Sequence, residues 1–119
     1  SEESSVSAIA VNSALYRNDV FRYVYENNGL SGDIPLAVLD LPESWRALRN
    51  WRARVDAGRC YVYGEASMQE IMAVRQLFRG SFALGMASNG RLIPVMGNVI
   101  TVPAFIPNGS LVSVTEIDR

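Results

Sequence analysis

Apolar residues recur along the first part of the chain at the spacing of an α-helix. One stripe of helix-spaced positions is Ile9, Ser13, Tyr16, Val20 and Val24. A neighbouring stripe is Val11, Leu15, Phe21 and Tyr25. The polar positions left for the solvent side are Asn12, Arg17, Asp19 and Arg22. The pattern predicts a long N-terminal helix over residues 4–28 with a broad buried face, closed by the Asn27-Asn28-Gly29 turn.

Proline and glycine interrupt this spacing after residue 28. The motifs Gly32-Asp33-Ile34-Pro35 and Leu39-Asp40-Leu41-Pro42 follow within about ten residues of each other, and each proline disfavours helix at the residue before it. We therefore predict a loop over residues 29–57 that holds apolar anchors. Within it, the helical spacing of Trp45, Leu48 and Trp51 allows a short helix.

From residue 58 to residue 119 the pattern predicts a strand, a helix and then antiparallel strands. Alternation over 58–63 predicts a strand with Cys60 and Val62 on one face and Tyr61 and Tyr63 on the other. Ser67 and Glu70 have capping-box spacing, which predicts a second helix ending near Gly80. Its predicted inward stripe is Met68, Ile71, Met72 and Phe78.

Two strand pairs are predicted in the last forty residues. Asn89-Gly90 favours a tight hairpin turn between segments 82–87 and 92–96. Segments 100–102 and 111–117 are predicted to pair around the proline-containing connection 103–109, which belongs at a sheet edge or in a loop.

These elements together predict one α+β domain over residues 1–119. A long N-terminal helix and a second, shorter helix would pack on a three- to five-stranded, mainly antiparallel sheet. Hydrophobic residues make up 49% of the chain and charged residues 19%, which is typical of a globular domain. The formal charge of −1 gives no overall attraction to nucleic acid or anionic lipid.

The chain contains no histidine, and all 11 of its basic residues are arginine. It therefore has neither an ordinary general base near neutral pH nor a lysine for a Schiff base or a phosphate loop. Its one cysteine, Cys60, lies in the predicted strand and is expected to be a small buried hydrophobe. We predict no enzyme activity, no catalytic residue, no metal site and no cofactor.

An enzyme hypothesis would need carboxylates that converge in a cleft. The candidate acids for such a hydrolase are Asp33, Asp40, Glu65 and Glu70. Glu70 is better explained as the capping residue of the second helix, and Glu65 as an acid favoured by the helix dipole.

Charge is unevenly distributed in one place. Five arginines and Asp56 give residues 45–59 a charge of +4 and leave −5 for the rest of the chain. The candidate partner-binding residues are Trp45, Arg46, Arg49, Trp51, Arg52 and Arg54. Three interpretations stay open: tryptophans anchored in the core beneath arginine side chains, a surface for an acidic protein partner or anionic lipid, and a surface that stacks single-stranded nucleic acid.

The order of several segments resembles the PilM family of type IVb pilus systems, the thin pili of conjugative plasmids and integrative elements. That family is unrelated to the actin-like ATPase of the same name. The resemblance is carried by turn and core residues from about residue 12 to residue 114. The matching segments are Leu15-Tyr16-Arg17-Asn18-Asp19-Val20, Gly32-Asp33-Ile34-Pro35, Leu39-Asp40-Leu41-Pro42-Glu43-Ser44-Trp45, Ala57-Gly58-Arg59-Cys60-Tyr61-Val62-Tyr63, Asn89-Gly90-Arg91-Leu92 and Val102-Pro103-Ala104-Phe105-Ile106-Pro107-Asn108-Gly109-Ser110-Leu111-Val112.

The resemblance implies a bitopic protein with one N-terminal hydrophobic segment and a periplasmic domain at the inner membrane. The chain opens at Ser1-Glu2-Glu3-Ser4 and passes directly into helix, as it would if such an anchor had been removed. The implied function is a non-enzymatic structural or assembly component that contacts other pilus-assembly proteins or pilins, with self-association left open. Two alternatives are a pilin-like minor subunit of the fibre and a single-stranded DNA-binding module that serves conjugative transfer.

Overall fold

Both predicted helices are present and both begin at a side-chain cap. The structure is a computed structural model that describes residues 1–79, 83–94 and 97–117. Helix α1 spans Glu2–Glu26, and the Ser1 hydroxyl accepts a hydrogen bond from the Ser4 amide at 3.2 Å. Helix α2 spans Met68–Leu77 and has the complete capping box of Ser67 and Glu70. Such caps satisfy amide groups that have no partner inside the helix.

The buried face of α1 is only partly the one predicted. All five residues of the first stripe are buried, which confirms that part of the prediction. The second stripe is wrong at Val11, Leu15 and Tyr25, which are exposed, whereas its fourth member, Phe21, packs against the core. Asn12 is buried in spite of its polarity. The reason is that the rest of the fold contacts α1 on the side of the first stripe and of Asn12, so Val11 and Leu15 face outward.

Helix α2 buries a narrower face than its sequence predicts. Ile71 and Val74 are buried, whereas Met68 and Met72 are exposed, so these two methionines were wrongly assigned to the inward stripe. Phe78 packs against the core from just beyond the helix. The helix has ten residues, and the turn that directs Glu70, Ile71 and Val74 inward directs both methionines outward. The predicted cap at Gly80 lies outside the described residues.

One six-stranded sheet runs through the molecule, with the strand order β1-β2-β3-β6-β4-β5 and only antiparallel neighbours. The α+β class is confirmed, but the described residues contain more strands than the three to five predicted. The strands are β1 Gly32–Asp33, β2 Arg52–Asp56, β3 Arg59–Gly64, β4 Leu84–Ser88, β5 Arg91–Ile93 and β6 Leu111–Glu116.

The prediction of a loop or short helix over 29–57 is wrong at β1 and β2. In β2, the buried Ala53 and Val55 alternate with the more exposed Arg52, Arg54 and Asp56, which is the period-two pattern of a strand. Ala57 and Gly58 have φ values of 50° and 77° and form the tight turn that joins β2 to β3. The rest of this segment includes a short 3-10 helix over Leu36–Val38.

The hairpin at Asn89-Gly90 is confirmed, with φ values of 51° and 75° at the two turn residues. The predicted pairing of 100–102 with 111–117 is wrong. Strand β6 lies between β3 and β4, and segment 100–102 instead contacts β5 through an antiparallel bridge between Thr101 and Arg91. The predicted strand residues Phe82, Val95 and Met96 lie outside the described part of the chain.

Each face of the central strands is covered. On the helix face, Cys60 and Val62 pack against α1 and α2. On the opposite face, Tyr61 and Tyr63 pack beneath the 100–106 segment, and the Phe105 ring lies 5.8 Å from both tyrosine rings. The predicted alternation of β3 is confirmed. Residues 103–109, predicted at an edge or in a loop, form a loop that returns across this opposite face.

The loop after α1 is held by apolar anchors and by one carboxylate. Leu30, Leu39 and Leu41 pack against the core, as predicted. The Asp19 carboxylate accepts hydrogen bonds from Arg22 at 2.8 Å and from the Asp40 amide at 2.7 Å. The Arg22 hydrogen bond, with the Asp40 amide in support, lowers the pKa of Asp19 below its usual value.

The first prediction concerns this carboxylate. Asp19→Asn is expected to lower the free energy of unfolding by about 1 kcal/mol at pH 7. Because the folded-state pKa lies below the unfolded value of about 3.9, this contribution is present above that pH and is lost as the pH falls through the folded pKa. Urea denaturation at pH 7 and pH 3 measures the change. Asp56→Asn, at the exposed last residue of β2, is the matched control. An equal loss for Asp19→Asn at both pH values would contradict the prediction.

Candidate partner-binding site

A buried asparagine on α1 organises the candidate segment. The segment is an irregular strap, residues 42–51, between the 3-10 helix and β2. The Asn12 amide group donates to the Arg46 carbonyl at 2.7 Å, and its Oδ1 accepts from the Leu48 amide at 2.9 Å and from the Trp51 indole at 2.7 Å. Three hydrogen bonds from one side chain therefore fix the strap across α1.

Both tryptophans are structural anchors of this strap. Trp51 is only 9% exposed and belongs to the core of the helix face. Its ring lies so close to Gly64 in β3 that any Cβ at position 64 would overlap it. Trp45 stacks on Tyr16 with the ring centroids 6.0 Å apart, and its indole donates to the Asn12 carbonyl at 3.3 Å. Both tryptophans are therefore packed within the domain, as the first of the three interpretations expects for these two residues.

Burial also changes the acidity of Tyr16 and Cys60 in the core of the helix face. It raises the pKa of the Tyr16 hydroxyl above its ordinary value, with a smaller contribution from Cys60. Cys60 is fully buried, as predicted, and burial raises the pKa of its thiol to about 12. The thiol therefore stays protonated at neutral pH, which suits a packing residue.

Arg49 completes the cap of α2. Its guanidinium lies 2.9 Å from Glu70 Oε2, and Oε1 of the same carboxylate accepts from the Ser67 amide at 2.9 Å. The Glu70 side chain is 8% exposed. A buried carboxylate needs such partners, so the capping role predicted for Glu70 is confirmed and Arg49 supplies its counter-charge.

Two other arginines of the segment are also engaged. Arg46 is exposed and donates to the carbonyls of Glu43 and Trp45 at 2.9 and 2.8 Å. Arg54 lies on the opposite face of the sheet, where it bonds Asp33 at 3.2 Å. Its guanidinium carbon also lies 5.0 Å from the centre of the Phe105 ring. Both side chains thus have partners within the domain.

Arg52 differs from its neighbours. It is exposed, it begins β2 opposite Tyr63, and it forms no ion pair with any carboxylate of the described residues. It lines two clefts, one of about 340 Å³ toward the strap and one of about 460 Å³ toward the 107–110 loop. It is therefore the arginine of this segment best placed to meet another molecule.

The six predicted residues do not form one continuous surface. Arg46, Arg49 and the tryptophans belong to the strap on the helix face, whereas Arg54 packs on the opposite face and Arg52 lies between the two clefts. Sequence reasoning missed Asn12, which it assigned to solvent, and Gly64, whose missing side chain makes room for Trp51. No signal in the sequence marked Asn12, because its side-chain partners are 34, 36 and 39 residues away.

The other carboxylates that were considered for an enzyme hypothesis lie outside this segment. Asp40 and Glu65 are exposed, and Asp33 is paired with Arg54. Within the described ranges, no group of three or more acidic or cysteine side chains is arranged to hold a metal ion. The same ranges contain no helix with the length and hydropathy required to cross a bilayer.

The family model described as PilM matches residues 1–114 of the chain. The chain belongs to the PilM family. A crystal structure of a PilM protein from Escherichia coli is similar over 97% of this chain and 94% of that one, with a TM-score of 0.73 and 22% sequence identity. At that identity the likeness concerns the fold. No curated protein matches the chain.

The second prediction tests the role of Asn12. Asn12→Ala removes three hydrogen bonds and leaves the buried Trp51 indole without its acceptor, so the free energy of unfolding should fall by about 3 kcal/mol. Urea denaturation followed by far-UV circular dichroism measures the loss. Asn18→Ala, at an exposed position of the same helix, should change stability by less than about 0.5 kcal/mol. Equal stability of the two variants would contradict the role given to Asn12.

Proposed function

We propose that this PilM-family protein is a non-enzymatic structural or assembly component of a type IVb pilus machine. It acts through protein contacts, at the periplasmic face of the bacterial inner membrane, with other pilus-assembly proteins or pilins as partners. The observation that carries the proposal is membership of the PilM family over nearly the whole chain. The resemblance of its turn and core segments to type IVb systems supports the finer assignment.

The structure supports a role in contacts through the groups that it leaves exposed. Glu70, the acid most deeply placed among the candidates, is occupied by the α2 cap and by Arg49. Arg52, by contrast, is exposed between two clefts. In this proposal the strap and the start of β2 present a fixed surface to a partner, and no catalytic step, metal or cofactor is involved.

The exposed first turns of helix α1 set the distance between the domain and the membrane in this proposal. Apart from the half-buried Val6, residues 1–8 are exposed, and Ile9 is the first buried residue. At 1.5 Å per residue, the first two turns extend the helix roughly 12 Å past its buried part. In the proposed location these turns hold the sheet and its clefts away from the membrane surface.

The nucleic-acid alternative is less well supported by the structure. Stacking of bases requires accessible aromatic faces. Trp51 is buried and Trp45 already stacks on Tyr16. Titration of a labelled single-stranded oligonucleotide at two salt concentrations tests this alternative, since phosphate binding weakens as salt is added.

The third prediction tests the pilus role in cells that assemble the pilus to which this protein is proposed to contribute. The full-length protein, tagged and cross-linked in place, is expected to recover pilins or assembly proteins, and deletion of its gene should reduce the number of surface pili. A periplasmic protein of similar size with the same tag controls for nonspecific recovery. Full piliation without the gene, together with no pilus protein among the recovered partners, would overturn the proposal.

Fractionation distinguishes the two structural roles. A scaffold should remain with the inner membrane after the pili are sheared off, whereas a minor subunit should be recovered in the purified fibres. Either result leaves the pilus assignment in place and decides which of the two forms it takes.

A further inference from the structure

We propose that Arg52 and the two clefts beside it form a binding site for an acidic peptide segment of a protein partner. The inference rests on the proposed function and deepens it, because it names the surface used and the chemistry that the surface recognises. The carboxylate of one Asp or Glu in the segment would pair with the Arg52 guanidinium. Apolar side chains on either side of that acid would enter the clefts.

The charge of Arg52 is not neutralised within the described part of the domain. Arg49 is paired with Glu70 and Arg54 with Asp33, and Arg46 donates to main-chain carbonyls. An exposed guanidinium offers five donors in a planar fork, which a carboxylate accepts through two parallel hydrogen bonds. The Arg52 guanidinium is therefore available to one carboxylate, whereas the guanidinium groups of the neighbouring arginines already have partners within the domain.

The cleft on the strap side has an apolar wall. Its lining includes Ile34, Pro35, Leu36 and Trp45 beside Arg52. Main-chain groups of β2 are largely engaged there, because β1 pairs with β2 at Arg54 and Val55 and the Ile34 amide donates to the Ala53 carbonyl. An extended segment therefore meets an apolar surface beside the cation, and side chains rather than main-chain pairing would hold it.

The second cleft lies on the other side of Arg52. Its lining mixes the apolar Ala66 and Pro107 and the ring of Tyr63 with polar residues at its rim, namely Asn50, Asn108 and Ser110. Side chains two positions apart in an extended peptide point the same way. A segment with an acid in the middle and apolar residues two positions before and after it can therefore meet Arg52 and both clefts at once.

The acids around Arg52 favour a single carboxylate over a polyanion. Asp33 lines the strap-side cleft, and the exposed Glu65 lines the other. A nucleic acid or an anionic bilayer carries closely spaced phosphates, and any phosphate that entered either cleft would meet one of these acids, whose negative charge repels it. One carboxylate between apolar neighbours meets the cation and avoids the two acids.

The fourth prediction uses the purified chain and a phage-displayed library of random heptapeptides. Selected peptides should contain an Asp or Glu with apolar residues two positions away on both sides. The selected peptide is then synthesised with its acid and with the corresponding amide, and each form is titrated into ¹⁵N-labelled protein. The acidic form should bind about fivefold more tightly, as expected for one exposed ion pair, and should shift the Arg52 amide and the Trp45 indole signals.

The decisive comparison is a double-mutant cycle. Arg52→Gln should bind the acid and amide forms equally, whereas Arg91→Gln, a matched change of an exposed arginine in β5 outside both clefts, should keep the fivefold preference. The indole signal of Trp51 reports whether the strap is intact in each variant. An undiminished preference in Arg52→Gln, a selection without acidic residues, or tighter binding of oligonucleotides or phosphatidylglycerol vesicles at Arg52 would each overturn the proposal.

Failure of this site and failure of the pilus role give different results. If the chain selects acidic peptides through Arg52 but recovers no pilus protein from cells, the site stands and the pilus role is overturned. If Arg52→Gln recovers pilus proteins at the wild-type yield, the pilus role stands and this site is not the surface that serves it.

Discussion

The fold depends on a polar contact inside an apolar layer. One side of α1 is covered by a strap without regular secondary structure, and a segment of that kind brings main-chain groups that need partners when they are buried. Asn12 provides an acceptor for the Leu48 amide and the Trp51 indole and a donor for the Arg46 carbonyl. With those groups satisfied, the strap can pass over the helix and lead directly into β2.

A second polar contact links the strap to the other helix. Arg49 reaches the carboxylate that caps α2, so the same short segment is tied to α1 by an asparagine and to α2 by an ion pair. Between these ties, Trp51 fills the space above Gly64. The strap, both helices and the end of β3 therefore form one unit, and the position of Arg52 at the start of β2 is set by all of them.

Local patterns predicted the elements whose signals lie within a few residues. The first stripe of α1, the capping box at Ser67 and the Asn89-Gly90 turn are of this kind. The strand β2 was missed because its arginines looked like the polar end of a helix, and its pairing with β3 is visible only once the Ala57-Gly58 turn is recognised. The burial of Asn12 and the pairing of Arg49 with Glu70 depend on residues 21 or more positions away. The two partners of each contact are too far apart along the chain for a local sequence pattern to indicate their pairing. Only the three-dimensional structure reveals these contacts.

The borders of the sheet limit how this domain can join a larger assembly. On one side β1 is two residues long, and on the other the 100–102 segment bridges to β5 through Thr101. Little main chain is left at either border for a strand of another molecule. Fibres or complexes that contain the domain would then be held together by side-chain packing and by charge. Their strength should therefore vary with salt concentration and with the substitution of single surface residues. An assembly held by a continuous ladder of main-chain hydrogen bonds would be less sensitive to both.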